Sequence, residues 1–138
     1  MSAHRRFMLD TDTVSLYLRE NRSVASKLSA HRPSEVCLSS ITLGELRFGA
    51  DKRGSKRLHR MIDTLIASVE SVPFDSTAAA MFGRVRAHLE AKGKPIGALD
   101  TLIAAHALAL DLTLVTNNTK HFTRVPELRT ETWFTASR

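Results

Sequence analysis

Three carboxylates far apart in the chain, Asp10, Glu45 and Asp100, each stand beside an apolar run, which makes them candidates for chemistry. Asp10 closes the run Arg6-Phe7-Met8-Leu9. Glu45 lies four residues after Ile41 and three before Phe48, so on a helix it shares a face with apolar residues expected to point inward. Asp100 is followed by Ile103, Ala104 and Ala107, three, four and seven positions on, along the buried stripe of the helix that it opens. Each acid also has a plain structural explanation. Asp10 can cap a helix, Glu45 can face water, and an aspartate at a helix start is favoured by about 0.3–1 kcal/mol through the macrodipole. The three together ask for more, because carboxylates gathered at one mouth repel one another and lose hydration. A hard divalent cation normally makes such a cluster tolerable. With oxygen donors and no nearby Cys or His pair, the expected ion is Mg²⁺ or Mn²⁺ rather than zinc. Carboxylate-held Mg²⁺ typically acts on phosphate esters, by activating water and steadying the leaving oxygen.

Such a cluster forms only if the elements carrying the acids converge. The stretch from Pro95 to Asn118 is the most explicit. A Pro/Gly-marked turn leads to an Ala/Leu-rich helix opening with Asp100, then an Asp-Leu turn and the β-branched run Leu112–Thr116, which stops at Asn117-Asn118. That is half of a βαβ unit with polar groups at the carboxyl end of its strand, where open α/β sheets hold ligands. Upstream, Arg6–Leu9 reads as a central strand, followed by a helix with N-cap candidates among Asp10–Thr13 and a break at Asn21-Arg22-Ser23. A second helix, about Val24 to His31, must end before Pro33. Glu35–Ser39 reads as the second strand, and a helix beginning near Ile41 runs to Ala50. The next helix carries Leu58, Met61, Ile62, Leu65, Ile66 and Val69 on one face. Ser71–Phe74 is a short strand that Pro73 assigns to an edge. A long helix from Asp75-Ser76 repeats Ala79, Phe82, Val85, Arg86 and Leu89, and a last strand lies near Leu128 to Trp133. Strands alternate with helices throughout, so the fold expected is α/β: one domain over residues 1–138, with a mostly parallel central sheet of about five strands flanked by helices. Two of the connections hold two helices each, room for a projecting helical pair that serves as a clamp or a dimer surface.

Composition narrows the partners. A chain of 138 residues makes one domain that buries roughly two-thirds of its unfolded surface. No apolar run reaches bilayer length and the amino terminus lacks the apolar core of a signal peptide, so no membrane is expected. The single Cys37 excludes an internal disulfide, fits a reducing cytoplasm and reads as a buried core thiol. A net charge of +6 favours a polyanionic partner.

The segments FMLDTDT, SSITLGELRFGA, PIGALDTLIAAHALALDLTLVTNNTKHF and LRTETW together resemble the PIN-domain ribonucleases, specifically the VapC toxins of type II toxin–antitoxin pairs. The resemblance covers almost the whole chain in order. It implies a PIN domain in which Asp10, Glu45 and Asp100 are the metal-binding, catalytic acids of a Mg²⁺- or Mn²⁺-dependent endoribonuclease. Many PIN domains carry a fourth acid just after the strand bearing Thr116; here the segment reads Asn117-Asn118-Thr119, so a second metal is not assured. Asp12 stands where the family commonly has asparagine. Thr11, Thr116, Asn117 and Asn118 are accessory candidates, for contacts to water, metal or phosphate. The resemblance further implies tRNA as substrate, with the initiator tRNA anticodon loop suggested, together with a homodimer and a VapB-type antitoxin. The antitoxin's tail would set an arginine among the carboxylates, and a hetero-octamer would be the joint assembly.

Two basic clusters are candidates for holding RNA: Lys52, Arg53, Lys56, Arg57 and Arg60, and Arg84, Arg86, Lys92 and Lys94. His121 reads as a surface residue, and Tyr17 and Trp133 as packing residues. Two other functions compete. Asp10-Thr11-Asp12-Thr13-Val14 fits the DxDx[TV] signature of haloacid-dehalogenase-like phosphatases, in which the first aspartate is the nucleophile. The absence of a fourth acid also suits a PIN-like RNA- or protein-binding module without catalysis.

Overall fold

The computed structural model describes residues 4–135; the ends of the expected 1–138 domain, residues 1–3 and 136–138, lie outside the described residues. The chain order is β1 (Phe7–Leu9), α1 (Thr11–Leu18), α2 (Arg22–Ser29), β2 (Val36–Ser39), α3 (Ser40–Lys52), α4 (Lys56–Ile66), β3 (Glu70–Val72), α5 (Ser76–Ala91), α6 (Ala98–Ala109), β4 (Thr113–Val115), α7 (Thr119–Phe122) and β5 (Thr130–Glu131). The strands line up as β3-β2-β1-β4-β5, and every pairing is parallel. The expected mostly parallel sheet is therefore wholly parallel among the described residues, and β3 is the edge that Pro73 implied.

Because successive strand residues face opposite ways, each central strand feeds two cores. Phe7, Leu9, Val36, Leu38 and Val115 pack with Val14, Leu18, Val24, Leu46, Ile62 and Leu65 from α1–α4. Met8, Cys37 and Leu114 face the other way, onto Val85 and Leu89 of α5, Ile103, Ala104 and Ala107 of α6, and Phe122 of α7. Both faces are thus covered, as an all-parallel sheet requires. Leu9 pairs in register with both Leu38 and Val115, so β1, β2 and β4 end side by side.

Capping chemistry sets most of the boundaries. The expected break at Asn21–Ser23 is a cap: the Asn21 side chain accepts the Val24 amide, so α2 starts at Arg22, and it ends at Ser29, short of His31. Ser55 and Asp75 cap α4 and α5 in the same way. The inward face of α5 is Ala78, Val85 and Leu89, whereas Ala79 and Arg86 are exposed, a shift of the stripe from the one expected. The last strand shrinks to two residues. Glu127 adopts φ 66° just before it, and beyond it Trp133 turns into the core, stacked on His31 with ring centroids 5.3 Å apart. Cys37 is fully buried, and that burial pushes its thiol up to about 12.

Candidate active site

A parallel sheet puts the carboxyl ends of its strands along one edge, and helices that follow those strands begin there. Asp10 directly follows β1, Thr116 directly follows β4, and Ser39 at the end of β2 caps α3, accepting the Ile41 amide. α6 precedes the parallel strand β4, so its first turn, with Asp100, returns to the same edge. The topology thus gathers Asp10, Glu45, Asp100, Thr116 and Asn117-Asn118 from distant sequence.

Asp10 is the most confined of the acids, only 4% exposed. Its Oδ1 accepts the Thr13 amide at 2.8 Å and so caps α1, while the Thr116 hydroxyl is a further partner. Burial pushes the carboxyl above the ordinary carboxylate range; the hydrogen bonds from Thr116 and Thr13 pull it down, and the charge of Asp12 adds to the rise. Thr116 is itself buried, and its Oγ1 accepts the Asn118 amide at 3.0 Å.

Glu45 lies in the second turn of α3. The inward stripe of that helix is Thr42, Leu46 and Ala50, and Phe48 is 66% exposed. Glu45 therefore sits at the margin of the buried face rather than within it, a correction to the face expected from Phe48. Thr11, the residue after Asp10, donates its hydroxyl to Glu45 Oε1 at 2.5 Å. That bond ties the first turn of α1 to α3 and brings Glu45 toward Asp10.

Asp100 is the third residue of α6. Gly97, the N-cap, takes φ 94°, a conformation costly for any side chain with a Cβ. His121 Nε2 lies 3.0 Å from Asp100 Oδ2. Burial raises the Asp100 carboxyl, the His121 charge and hydrogen bond lower it, and Asp12 raises it again. Asp12, exposed in the first turn of α1, thus lies close enough to act on both Asp10 and Asp100.

A cavity of about 250 Å³ opens beside these groups, with Thr11, Asp12, Ser15, Arg19, Glu45 and Arg53 in its wall. A neighbouring cavity of about 330 Å³ shares Arg19 and Arg53 with it and adds Arg57. Of the expected basic residues, Arg53 is the one that borders the acids. Lys52, Lys56, Arg57, Arg60, Arg84, Lys92 and Lys94 are exposed around the surface, and Arg86 is paired with Glu90 at 2.9 Å. The side chains of Asn117 and Asn118 are exposed, and Asn118 enters the hydrogen bonding through its backbone. A larger cavity, about 770 Å³, lies between α1, α2 and α4, with Tyr17, Leu28, His31 and Met61 in its wall and none of the three acids.

Two residues join the site that sequence reasoning did not assign to it. Arg19 stands seven residues after Asp12, two turns on along the same face of α1, a spacing that could have revealed it. His121 sits on a four-residue helix, and no periodicity in the sequence points it at Asp100.

The donors within reach are carboxylate and hydroxyl oxygens, which suits a hard divalent cation, and the crowding of Asp10, Asp12 and Asp100 supplies negative charge for one to offset. Among the described residues, no three His, Cys, Asp or Glu side chains converge, as they stand, tightly enough to hold an ion. Glu45 is engaged by Thr11 and Asp100 by His121, so these two carboxylates would have to turn toward Asp10 to share one.

A wholly parallel five-stranded α/β domain with acids at its carboxyl edge fits the PIN-domain description, and the family model for the PIN domain matches residues 7–128. The chain belongs to the PIN-domain family, in its VapC branch. It is 37% identical over 131 residues to the tRNA(fMet)-specific endonuclease VapC of Shigella flexneri, covering 93% of this chain and 98% of that protein. Among solved structures, DNA-bound VapBC from Salmonella typhimurium superposes with a TM-score of 0.90 at 36% identity, covering 94% of this chain and 99% of the other. VapBC2 from Rickettsia felis, bound to a DNA fragment from its promoter, gives 0.86 at 33% identity, covering 93% and 98%. Neither the dehalogenase-like phosphatase nor the inert binding module is favoured by this kinship with named endonucleases and ribonucleases. No helix among the described residues is long and apolar enough to cross a membrane.

Proposed function

We propose that this chain is the endoribonuclease toxin of a toxin–antitoxin pair, hydrolysing tRNA phosphodiesters at the edge formed by Asp10, Glu45 and Asp100. One observation carries the proposal: in a chain 37% identical over 131 residues to a tRNA(fMet)-specific endonuclease VapC, three acids from separate elements stand toward one sheet edge, linked by Thr11 and by the charge of Asp12.

In this reading Asp10, Glu45 and Asp100 hold a divalent cation, Mg²⁺ or Mn²⁺. When bound, such an ion supplies water activation and steadies the charge on the leaving oxygen. The chain's own residues do the rest. Thr13 and Thr116 fix Asp10 in one orientation, Thr11 orients Glu45, and Asp12 adds negative charge at the mouth. Arg19 and Arg53 bind a phosphate in the cavity wall, and Arg57 extends that path along the RNA backbone. Hydrolysis by water leaves a 5′-phosphate and a 3′-hydroxyl, with no part for the ribose 2′-hydroxyl. Initiator tRNA, cut in its anticodon loop, is the substrate that kinship suggests.

The partner in this reading is a VapB-type antitoxin encoded beside the toxin, whose arginine enters among the carboxylates and satisfies the charge a cation would. Assembly as a homodimer, and with the antitoxin as a hetero-octamer, belongs to the same proposal. So does a cytoplasmic location, which the single buried Cys37 suits.

The test is cleavage of purified tRNA by the purified chain, with sequencing of the RNA ends. Cleavage should require Mg²⁺ or Mn²⁺, stop in chelator, and vanish in Asp10→Asn and Asp100→Asn while the circular dichroism of both variants stays native. Cleavage that survives in both variants, or in chelator, overturns the proposal.

A further inference from the structure

We infer that Phe48 is a base-stacking residue: an unpaired nucleobase beside the scissile phosphate lies on its ring, and Lys52 meets the adjoining phosphate. The inference rests on the RNA-cleaving reading of the edge given above, and it narrows the substrate to a strand that is unpaired at the cut.

Single exposed apolar side chains are ordinary on a protein surface, but here they are not scattered. Among the described residues the large hydrophobics left exposed are Phe48, 66%, and Leu99, 48%. Each adjoins a candidate acid. Leu99 directly precedes Asp100 in the first turn of α6, and Phe48 follows Glu45 by three residues on α3, the spacing of neighbours on a helix surface. Helices α3 and α6 pack against each other, so both apolar groups belong to one acid-bearing region.

The strip on α3 continues to Lys52, four residues beyond Phe48, whose Nζ lies over the ring at 6.0 Å from its centroid. By helical periodicity Gly49 and Arg53 lie on one side of Glu45, in the wall of the 250 Å³ cavity, and Phe48 and Lys52 lie on the other. An aromatic face with a cation beside it is the pairing that holds single-stranded RNA, the ring taking the base and the cation the backbone. In a duplex both faces of a base are covered by its neighbours, so only an unstacked base can reach Phe48. A chain with net charge +6 favours that polyanion over an apolar occupant at this strip.

The test uses the full-length chain with Asp10→Asn, which the reading above expects to leave RNA uncut, as parent for Phe48→Leu and Phe48→Trp. Leucine keeps an apolar side chain without a π face, and tryptophan enlarges the face. The probe is a short fluorescein-labelled single-stranded RNA without self-complementarity, followed by anisotropy, with the same sequence annealed as a duplex for comparison. Expected is a Kd for the single strand raised roughly five- to hundredfold in Phe48→Leu and within about threefold of the parent in Phe48→Trp, with the duplex bound alike by all three. Trp133 is 1% exposed, so unlabelled RNA should quench tryptophan emission in Phe48→Trp and not in its parent. Unchanged single-strand binding by Phe48→Leu, an equal loss on the duplex, or an unquenched tryptophan overturns the inference. Sedimentation of the same proteins tests the other occupant: if Phe48→Leu falls from dimer to monomer yet binds RNA as its parent does, the face belongs to a second copy and the inference is overturned. If the parent binds neither RNA, the ribonuclease reading fails and takes this inference with it; if the parent binds and Phe48→Leu matches it, only the role of Phe48 fails.

Discussion

Replacing Asp10 by Asn should make the metal-free protein more resistant to heat while abolishing RNA cleavage. The side chain is 4% exposed, its Oδ1 caps α1 at 2.8 Å from the Thr13 amide, and the Thr116 hydroxyl contacts it. Asparagine keeps the shape and the capping oxygen, and Thr116 Oγ can accept where it formerly donated. What asparagine removes is a charge that burial disfavours. The folded-state carboxyl titrates above its ordinary 3.8, so the folded protein takes up this proton before the unfolded chain does. The charged aspartate consequently costs stability above its folded pKa, and the cost disappears as pH falls through that value toward 3.8. Asp10→Asn should therefore melt above wild type at pH 7 in chelator, with the gap closing in acid. Asp10→Ala also removes the charge but loses the cap, worth about 1 kcal/mol, which is roughly 3 °C in a domain of this size. The order expected is Asn above Ala by that margin. Saturating Mg²⁺ should then raise wild type alone, by about 2.7 kcal/mol at a hundredfold excess over Kd. Differential scanning calorimetry at pH 7 and pH 4.5, with chelator and with Mg²⁺, reads all of these. If Asp10→Asn melts below wild type at pH 7 in chelator, or the gap does not change with pH, burial of charge is not what governs Asp10.

Other consequences follow from single contacts. Thr11→Val removes the hydroxyl that bonds Glu45 Oε1; a hydrogen bond to a charged group contributes about 1.5–3 kcal/mol, so cleavage should drop roughly tenfold or more with little loss of fold. An unchanged rate would mean that Glu45 needs no orientation. Burial depresses the pKa of His106, 1% exposed, below its ordinary 6.5 despite the opposing Asp75 charge, so its contribution to stability is present above 6.5 and lost as pH falls through the folded value. Urea melts between pH 7 and pH 5 should therefore weaken more steeply for wild type than for His106→Gln, and parallel slopes would refute that. Removing both Arg19 and Arg53 should weaken RNA binding about equally across sequences and cut the salt slope by roughly one per contact, measured on an Asp10→Asn background.

Where the local pattern was strong, the sequence already placed the candidate residues in the fold. Asp10 after an apolar strand, Asp100 before Ile103 and Ala104, and Thr116 at the end of a β-branched run all fall at the sheet edge because period-two strands and an apolar helix leave them nowhere else. Glu45 was located for a partly mistaken reason: Phe48 points outward, and the inward stripe runs through Thr42, Leu46 and Ala50. A three-residue offset cannot tell the centre of a buried stripe from its margin. Asn21 does interrupt the helices as expected, and it also caps the second of them, since capping residues and helix breakers are the same residue types. His121 was expected at the surface, and its approach to Asp100 was not legible because it spans 21 residues between a four-residue helix and another helix's first turn.

The buried polar groups explain why the edge can be both stable and reactive. Asp10, Thr13, Ser39, Thr42, Thr101, His106 and Thr116 are the buried polar residues of the described chain, and no buried side-chain polar atom there lacks a partner. Most lie at or next to strand ends or helix starts on the carboxyl edge. His106 shows how they connect the acid-bearing elements. Its Nδ1 is hydrogen-bonded to Ser39 Oγ at 2.8 Å. Ser39 caps the helix that carries Glu45, and His106 belongs to the helix that carries Asp100. The two acids are thus referenced to one buried pair, while the tip of Glu45 accepts from Thr11 and that of Asp100 lies 3.0 Å from His121 Nε2. A saturated polar layer fixes the backbone, and the ends of the side chains retain the freedom to turn. Asp10, fixed by both Thr13 and Thr116, would be the stationary ligand of a cation held at this edge, and Glu45 and Asp100 would be the ones to move to meet it.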